Sequence, residues 1–182
     1  MEQHKVFISF YHFDDQKYKN YLINHYQNYI IDKSVCNGEY DSDNSDEYVK
    51  RLIRDEKISD SSVILVLCGL NTYKRKHVDW EIYAGLRDSI NGNSGLAGIL
   101  LPSFPVYYSG EYNLSYLPKR LYDNVISGYA ELYSWEYAKN NFLNVINETF
   151  KRRIDYKDKK DNTRKQMQYN LIWWNGYSYF KI

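Results

Sequence analysis

Ser62-Val-Ile-Leu-Val-Leu-Cys68 is a near-continuous aliphatic run, entered from the polar turn Ser59-Asp-Ser-Ser62 and closed by Gly69. A strand of this kind has no polar face to give to water, so it must be covered on both sides, which is the position of a central strand in a mostly parallel sheet. The surrounding pattern supplies the covers. Lys5 to Phe10 reads as a short buried strand, and after Asp14-Asp15 the residues Tyr18, Leu22, His25, Tyr26 and Tyr29 recur at helical spacing. A weak strand is expected around Ser34 to Cys36. It is followed by a Gly-, Asp- and Ser-rich loop from Asn37 to Asp46, and by a second helix marked by Val49, Leu52 and Ile53, with Ser45 or Asp46 as its cap.

Beyond the central run, the polar stretch Asn71 to Lys76 leads into a third helix with Val78, Ile82, Leu86 and Ile90 on one stripe. A fourth strand spans Leu96 to Leu101, and Pro102 to Ser127 is irregular and Tyr-rich, with one short helix near Lys119 to Val125. A fifth strand is expected at Tyr129 to Tyr133, and a last helix from Trp135 to about Ile154. Strands alternating with helices in this order need right-handed crossovers, which gives an α/β fold: a flavodoxin-like, doubly wound parallel sheet in three layers, α/β/α. Ligands of such sheets bind beyond the carboxyl ends of the strands where the strand order reverses. The loops meeting there are Tyr11 to Asp15, Asn37 to Asp46 and Gly69 to His77.

At 182 residues the chain suits one domain, expected over 1–154, with 155–182 as a charged linker and an aromatic extension that packs on the domain or on a partner. The charge run Lys157 to Lys165 and the apolar cluster Leu171, Ile172, Trp173, Trp174, Tyr177, Tyr179 and Phe180 carry that expectation. Twenty-four Lys plus Arg against 23 Asp plus Glu leave a net charge of +1, which disfavours nucleic acid or an anionic membrane surface as partner. The start shows no secretory pattern, no apolar run approaches the roughly 18 residues of a membrane span, and Cys36 and Cys68 are too few for a disulfide framework. A cytoplasmic location is therefore expected. His4, His12, His25 and His77 lack zinc-type spacing with the cysteines, so no metal is expected.

Three segments resemble the TIR-like family that includes the TIR proteins of the bacterial Thoeris anti-phage system. They are Lys5-Val-Phe-Ile-Ser-Phe10 with acidic Asp14-Asp15 behind it, Ile58 to Gly69, and Gly69-Leu-Asn-Thr-Tyr-Lys-Arg-Lys-His-Val-Asp-Trp-Glu-Ile82, where Gly, Thr, Arg, Val and Glu-Ile stand at the family's spacing. The resemblance covers roughly Lys5 to Leu101. His77 departs from it, standing where such proteins often carry Trp, and the Asn37 to Asp46 loop has no counterpart.

The resemblance implies cleavage of the N-glycosidic bond of NAD⁺ as substrate, with no other cofactor. It further implies an ADP-ribose-derived signal received by a separate effector, and self-assembly through TIR–TIR contacts. Because the leaving nicotinamide is already cationic and departs neutral, no general acid is needed, and one carboxylate facing the developing ribosyl cation supplies much of the catalysis. Glu81, early in the third helix, is the residue this implies; its ordinary role would be to favour the helix dipole. The substrate-binding set is Ser9, Phe10, Tyr11, Asp14, Gly69, Thr72, Arg75 and Trp80. Trp80 is open to stacking on a base or to core packing. Ser9, Phe10 and Tyr11, read as the end of the first strand, are open to phosphate and ribose contacts or to plain strand-end packing. Asp14 is a ribose partner or a solvated loop acid, and Arg75 a phosphate partner or a mate for Asp79 or the acidic loop. Thr72 reads as a turn or cap residue, His12 and His77 as minor candidates for proton transfer, and Cys68 as packing. The alternative function is a TIR-type scaffold without turnover.

Overall fold

The computed structural model describes residues 4–32, 46–53, 58–88, 92–174 and 177–180. Five parallel strands form one sheet in the order β2-β1-β3-β4-β5, from β1 (His4–Ser9), β2 (Ile30–Asp32), β3 (Val63–Cys68), β4 (Gly95–Leu100) and β5 (Glu131–Ser134). The aliphatic run is indeed the middle strand, and every residue of β3 is buried. The period of two along each strand splits the core into two halves. Phe7, Ile64, Val66, Cys68, Leu96 and Leu100 face the helices α2 (Asp46–Leu52), α3 (Lys76–Leu86) and α4 (Lys119–Ile126). Val6, Ile8, Val63, Leu65, Leu67, Ala97 and Ile99 face α1 (His12–Tyr26), α5 (Trp135–Asn140) and α6 (Phe142–Asp155). A side chain at Gly95 would meet the backbone carbonyl of Thr149, so its absence lets α6 lie close against the start of β4.

Several expected boundaries move. The first helix ends at Tyr26, and the edge strand begins at Ile30, so the second strand precedes the expected Ser34 to Cys36, which lies outside the described residues together with most of the Asn37 to Asp46 loop. β1 stops at Ser9, leaving Phe10 and Tyr11 in the connection to α1. The last helix is two helices, broken at Asn141, whose φ of −129° and ψ of 30° are not helical. A 3₁₀ turn at Thr72–Lys74 precedes α3, and another follows α6 at Lys157–Lys159. The chain then runs extended along α4 and α3 before an antiparallel hairpin of β6 (Leu171–Trp174) and β7 (Tyr177–Phe180). No helix among the described residues is long and apolar enough to cross a membrane.

Candidate active site

Chain order places β2 on one side of β1 and β3 on the other, so the order of the strands reverses between β1 and β3. The start of α1 and the loop leading into α3 meet beyond the carboxyl ends of these two strands, the place where sheets of this order take their ligands. Glu81 of α3 and Ser9 at the end of β1 meet there, the Ser9 hydroxyl donating to Glu81 Oε2 at 2.5 Å. Both residues are buried, Glu81 at 4% exposure and Ser9 at 1%. The first-turn acid of α3 is Asp79, so the helix-dipole role considered for Glu81 falls to a different residue.

The loop after β3 is stitched to the head of α1 by contacts side by side. Asn71 Nδ2 donates to Asp14 Oδ2 at 2.8 Å, so Asp14, half-buried, bridges the two segments. Thr72, fully buried, accepts the Gly69 N–H at 2.9 Å, and its hydroxyl lies 3.1 Å from Asp15 Oδ2 and 3.2 Å from the Leu67 carbonyl oxygen. Gly69 is required for closeness: a Cβ there would lie 2.5 Å from Asp15 Oδ1. The Arg75 guanidinium covers the Tyr11 ring at 3.7 Å.

Asp15 was not among the expected residues. It is 1% exposed, and its Oδ1 has no hydrogen-bond partner among the described residues. Burial raises its carboxyl to about 6, the Thr72 hydroxyl opposing that shift and Asp14 adding to it. The sequence does not single it out: Asp14 and Asp15 both stand at helical spacing from Tyr18 and Leu22, and packing decides which of the two is buried.

Other expected site residues are placed elsewhere. Trp80 is 1% exposed; its indole N–H donates to the Met167 carbonyl at 2.7 Å, and the Lys50 and Lys76 ammonium groups each lie 4.9 Å from its ring. Buried to this degree, it packs in the core. Phe10 turns into the α1 side of the core and packs on His12, leaving only its backbone for the site. Arg75 does not pair with Asp79, which is taken by Arg120 Nε at 3.0 Å in an ion pair buried on both sides. His77 is poorly suited to accept a proton near neutrality, since burial and the adjacent Lys76 lower it to about 4. Burial drives the Cys68 thiol up, in keeping with inert packing. No cluster of His, Cys, Asp or Glu among the described residues has the makings of a metal site.

Fold and site together define a TIR-like α/β domain, with a helix-borne glutamate set against the end of the first strand. The family model for the TIR-like domain of Thoeris protein ThsB matches residues 7–104, more than half of the 182-residue chain, and the chain belongs to that family. No curated protein matches it.

Proposed function

We propose that this protein is an NAD⁺ glycohydrolase or ADP-ribosyl cyclase in which Glu81 is the catalytic carboxylate. The observation that carries the reading is the Ser9–Glu81 hydrogen bond, which puts a buried carboxylate at the reversal point of the sheet, where this fold class takes its ligands. The C1′–N bond breaks with its electron pair passing to the nicotinamide ring nitrogen, which leaves neutral. The cation left on C1′ is stabilised by the charge of Glu81. It is then captured by water, which loses a proton to give linear ADP-ribose, or by a nucleophile within the same molecule, giving a cyclic product.

Ser9 orients Glu81 through its hydroxyl. Tyr11, Asp14, Thr72 and Arg75 belong to the loops that would receive the dinucleotide, with Gly69 allowing their close approach and the backbone of Phe10 completing the rim. The product acts in the cytoplasm as an anti-phage signal to a separate effector. Self-assembly of the TIR-like domain assists activation, with no nucleic acid or membrane involved.

The burial of Ser9 and Glu81 favours one alternative, a non-catalytic interaction scaffold, in which the pair merely joins α3 to the sheet. Chromatography of NAD⁺ incubated with the protein, as purified and in extract of phage-infected cells, separates the two. Nicotinamide appearing together with an ADP-ribose product supports the enzyme. Its absence under every activating condition supports the scaffold.

A further inference from the structure

The helix that carries Glu81 has no side-chain cap of its own, Arg75 at the N-cap position providing none. Its ends are capped from a distant segment instead. Asn170 Oδ1 accepts the backbone N–H of Lys76, the first residue of α3, at 2.9 Å, and Asn162 Nδ2 donates to the carbonyl of Tyr83 in its last turn at 3.1 Å. Between these points the Met167 N–H donates to Asp79 Oδ2 at 2.8 Å, and its carbonyl accepts the Trp80 indole N–H. Arg120 joins helix and segment, donating to Asp79, to Asn162 Oδ1 at 2.9 Å and to the Arg164 carbonyl at 2.8 Å. The segment thus lies antiparallel to α3 and grips it along its whole length.

All of these strap residues lie beyond the stretch matched by the family model. We propose that Asn170 and Asn162 are positioning residues for Glu81: the strap over 161–170 fixes α3, and thereby the approach of Glu81 to Ser9. An unpaired helix start frays within its first turns, and Glu81 lies close enough to that start to lose its register with Ser9 when the cap is gone. The catalytic consequence rests on the function proposed above; the structural one does not.

The test compares Asn170→Ala, Asn170→Asp, Asn162→Ala and, as a control on the same strap, Thr163→Ala, whose hydroxyl donates to Asp161 within the strap itself. Amide hydrogen exchange along α3 and the carbon-13 resonance of the Glu81 carboxyl are followed across a pH titration, alongside kcat and KM for nicotinamide release. In Asn170→Ala the first turns of α3 exchange roughly two- to thirtyfold faster, the span expected for a lost cap. The Glu81 resonance moves, and kcat falls with KM unchanged. Asn170→Asp restores all three, its carboxylate accepting the same N–H. Asn162→Ala speeds exchange at the other end of the helix, and Thr163→Ala behaves as the unaltered protein.

Unchanged exchange and an unmoved Glu81 resonance in Asn170→Ala overturn the proposal, and so does a normal kcat in a variant whose α3 has loosened. If the unaltered protein shows no turnover while exchange and the resonance respond as expected, the strap stands and the NAD⁺ reading falls.

Discussion

Glu81 and Asp15 are both buried carboxylates at the head of the sheet, but their surroundings assign them different work. Glu81 receives the Ser9 hydroxyl, whereas Asp15 has one oxygen without a hydrogen-bond partner among the described residues and occupies the space a side chain at Gly69 would need. With its carboxyl raised to about 6 from 3.8, Asp15 holds its proton in the folded state after the unfolded chain has released its own. Between those two values the folded protein binds more protons than the unfolded one, so stability falls as pH rises through that window. At about 1.36 kcal/mol per pKa unit the loss is on the order of 2 to 3 kcal/mol. Asp15→Asn, which can still accept from Thr72, should therefore melt higher than the unaltered protein at pH 8, with the gap closing toward pH 4. A constant gap across the titration would remove Asp15 as its source. Gly69→Ala drives a methyl group into that carboxylate and should lower stability by about 1 to 3 kcal/mol, read by denaturant titration.

Among the elements, α3 depends most on distant parts of the chain. Arg120 is fully buried and its charge is met by Asp79. Removing only the cation leaves a buried carboxylate uncompensated, a change that typically costs roughly 3 to 5 kcal/mol. Arg120→Met should lower the melting temperature sharply and free the strap to protease, while a melting curve like that of the unaltered protein would mean that the Met167 N–H suffices for Asp79. None of this was legible in the sequence, because the partners lie on separate elements and a lone Arg at a helix start looks like any other. The strands were legible where burial on both faces wrote an apolar run, near-continuously aliphatic in β3 and interrupted only by glycine in β4. The edge strand β2 was not, since only Ile30 of its three residues is buried and Tyr29 extends the helical spacing up to it. The break at Asn141 was hidden for the related reason that Ala138, Phe142 and Val145 keep one apolar stripe across both helices.

At the scale of the whole molecule, the sheet's order brings Ser9 to Glu81, and the loop after β3, with Asn71 and Thr72, to Asp14 and Asp15, and that this end of the sheet collects these segments was legible because topology dictates it. Which side chains turn inward there was not: Trp80 and Phe10 go to the two cores and Asp15 is buried against Gly69 and Thr72, choices made by packing. Because Glu81 is buried, the proposed activity should run slowly in the dilute protein and rise only on activation, and rapid NAD⁺ loss by a dilute monomer would contradict that. Removing Tyr169 to Ile182 takes away the Asn170 cap together with the hairpin, and should lower stability or solubility, as read by thermal melting and size-exclusion chromatography. A truncated protein as stable, soluble and active as the full chain would make the tail dispensable.

The central claim concerns the charge of Glu81. Glu81→Gln keeps the shape of the side chain and its contact with Ser9 but removes the charge that, in the proposed mechanism, stabilises the ribosyl cation. A preorganised group of this kind is commonly worth roughly 2.7 to 4 kcal/mol at the transition state. Measured by chromatography on the activated protein, with thermal melting as folding control, nicotinamide release from Glu81→Gln should fall by about a hundredfold to a thousandfold, with NAD⁺ binding weakened far less; a folded Glu81→Gln protein releasing nicotinamide at the normal rate would contradict the account.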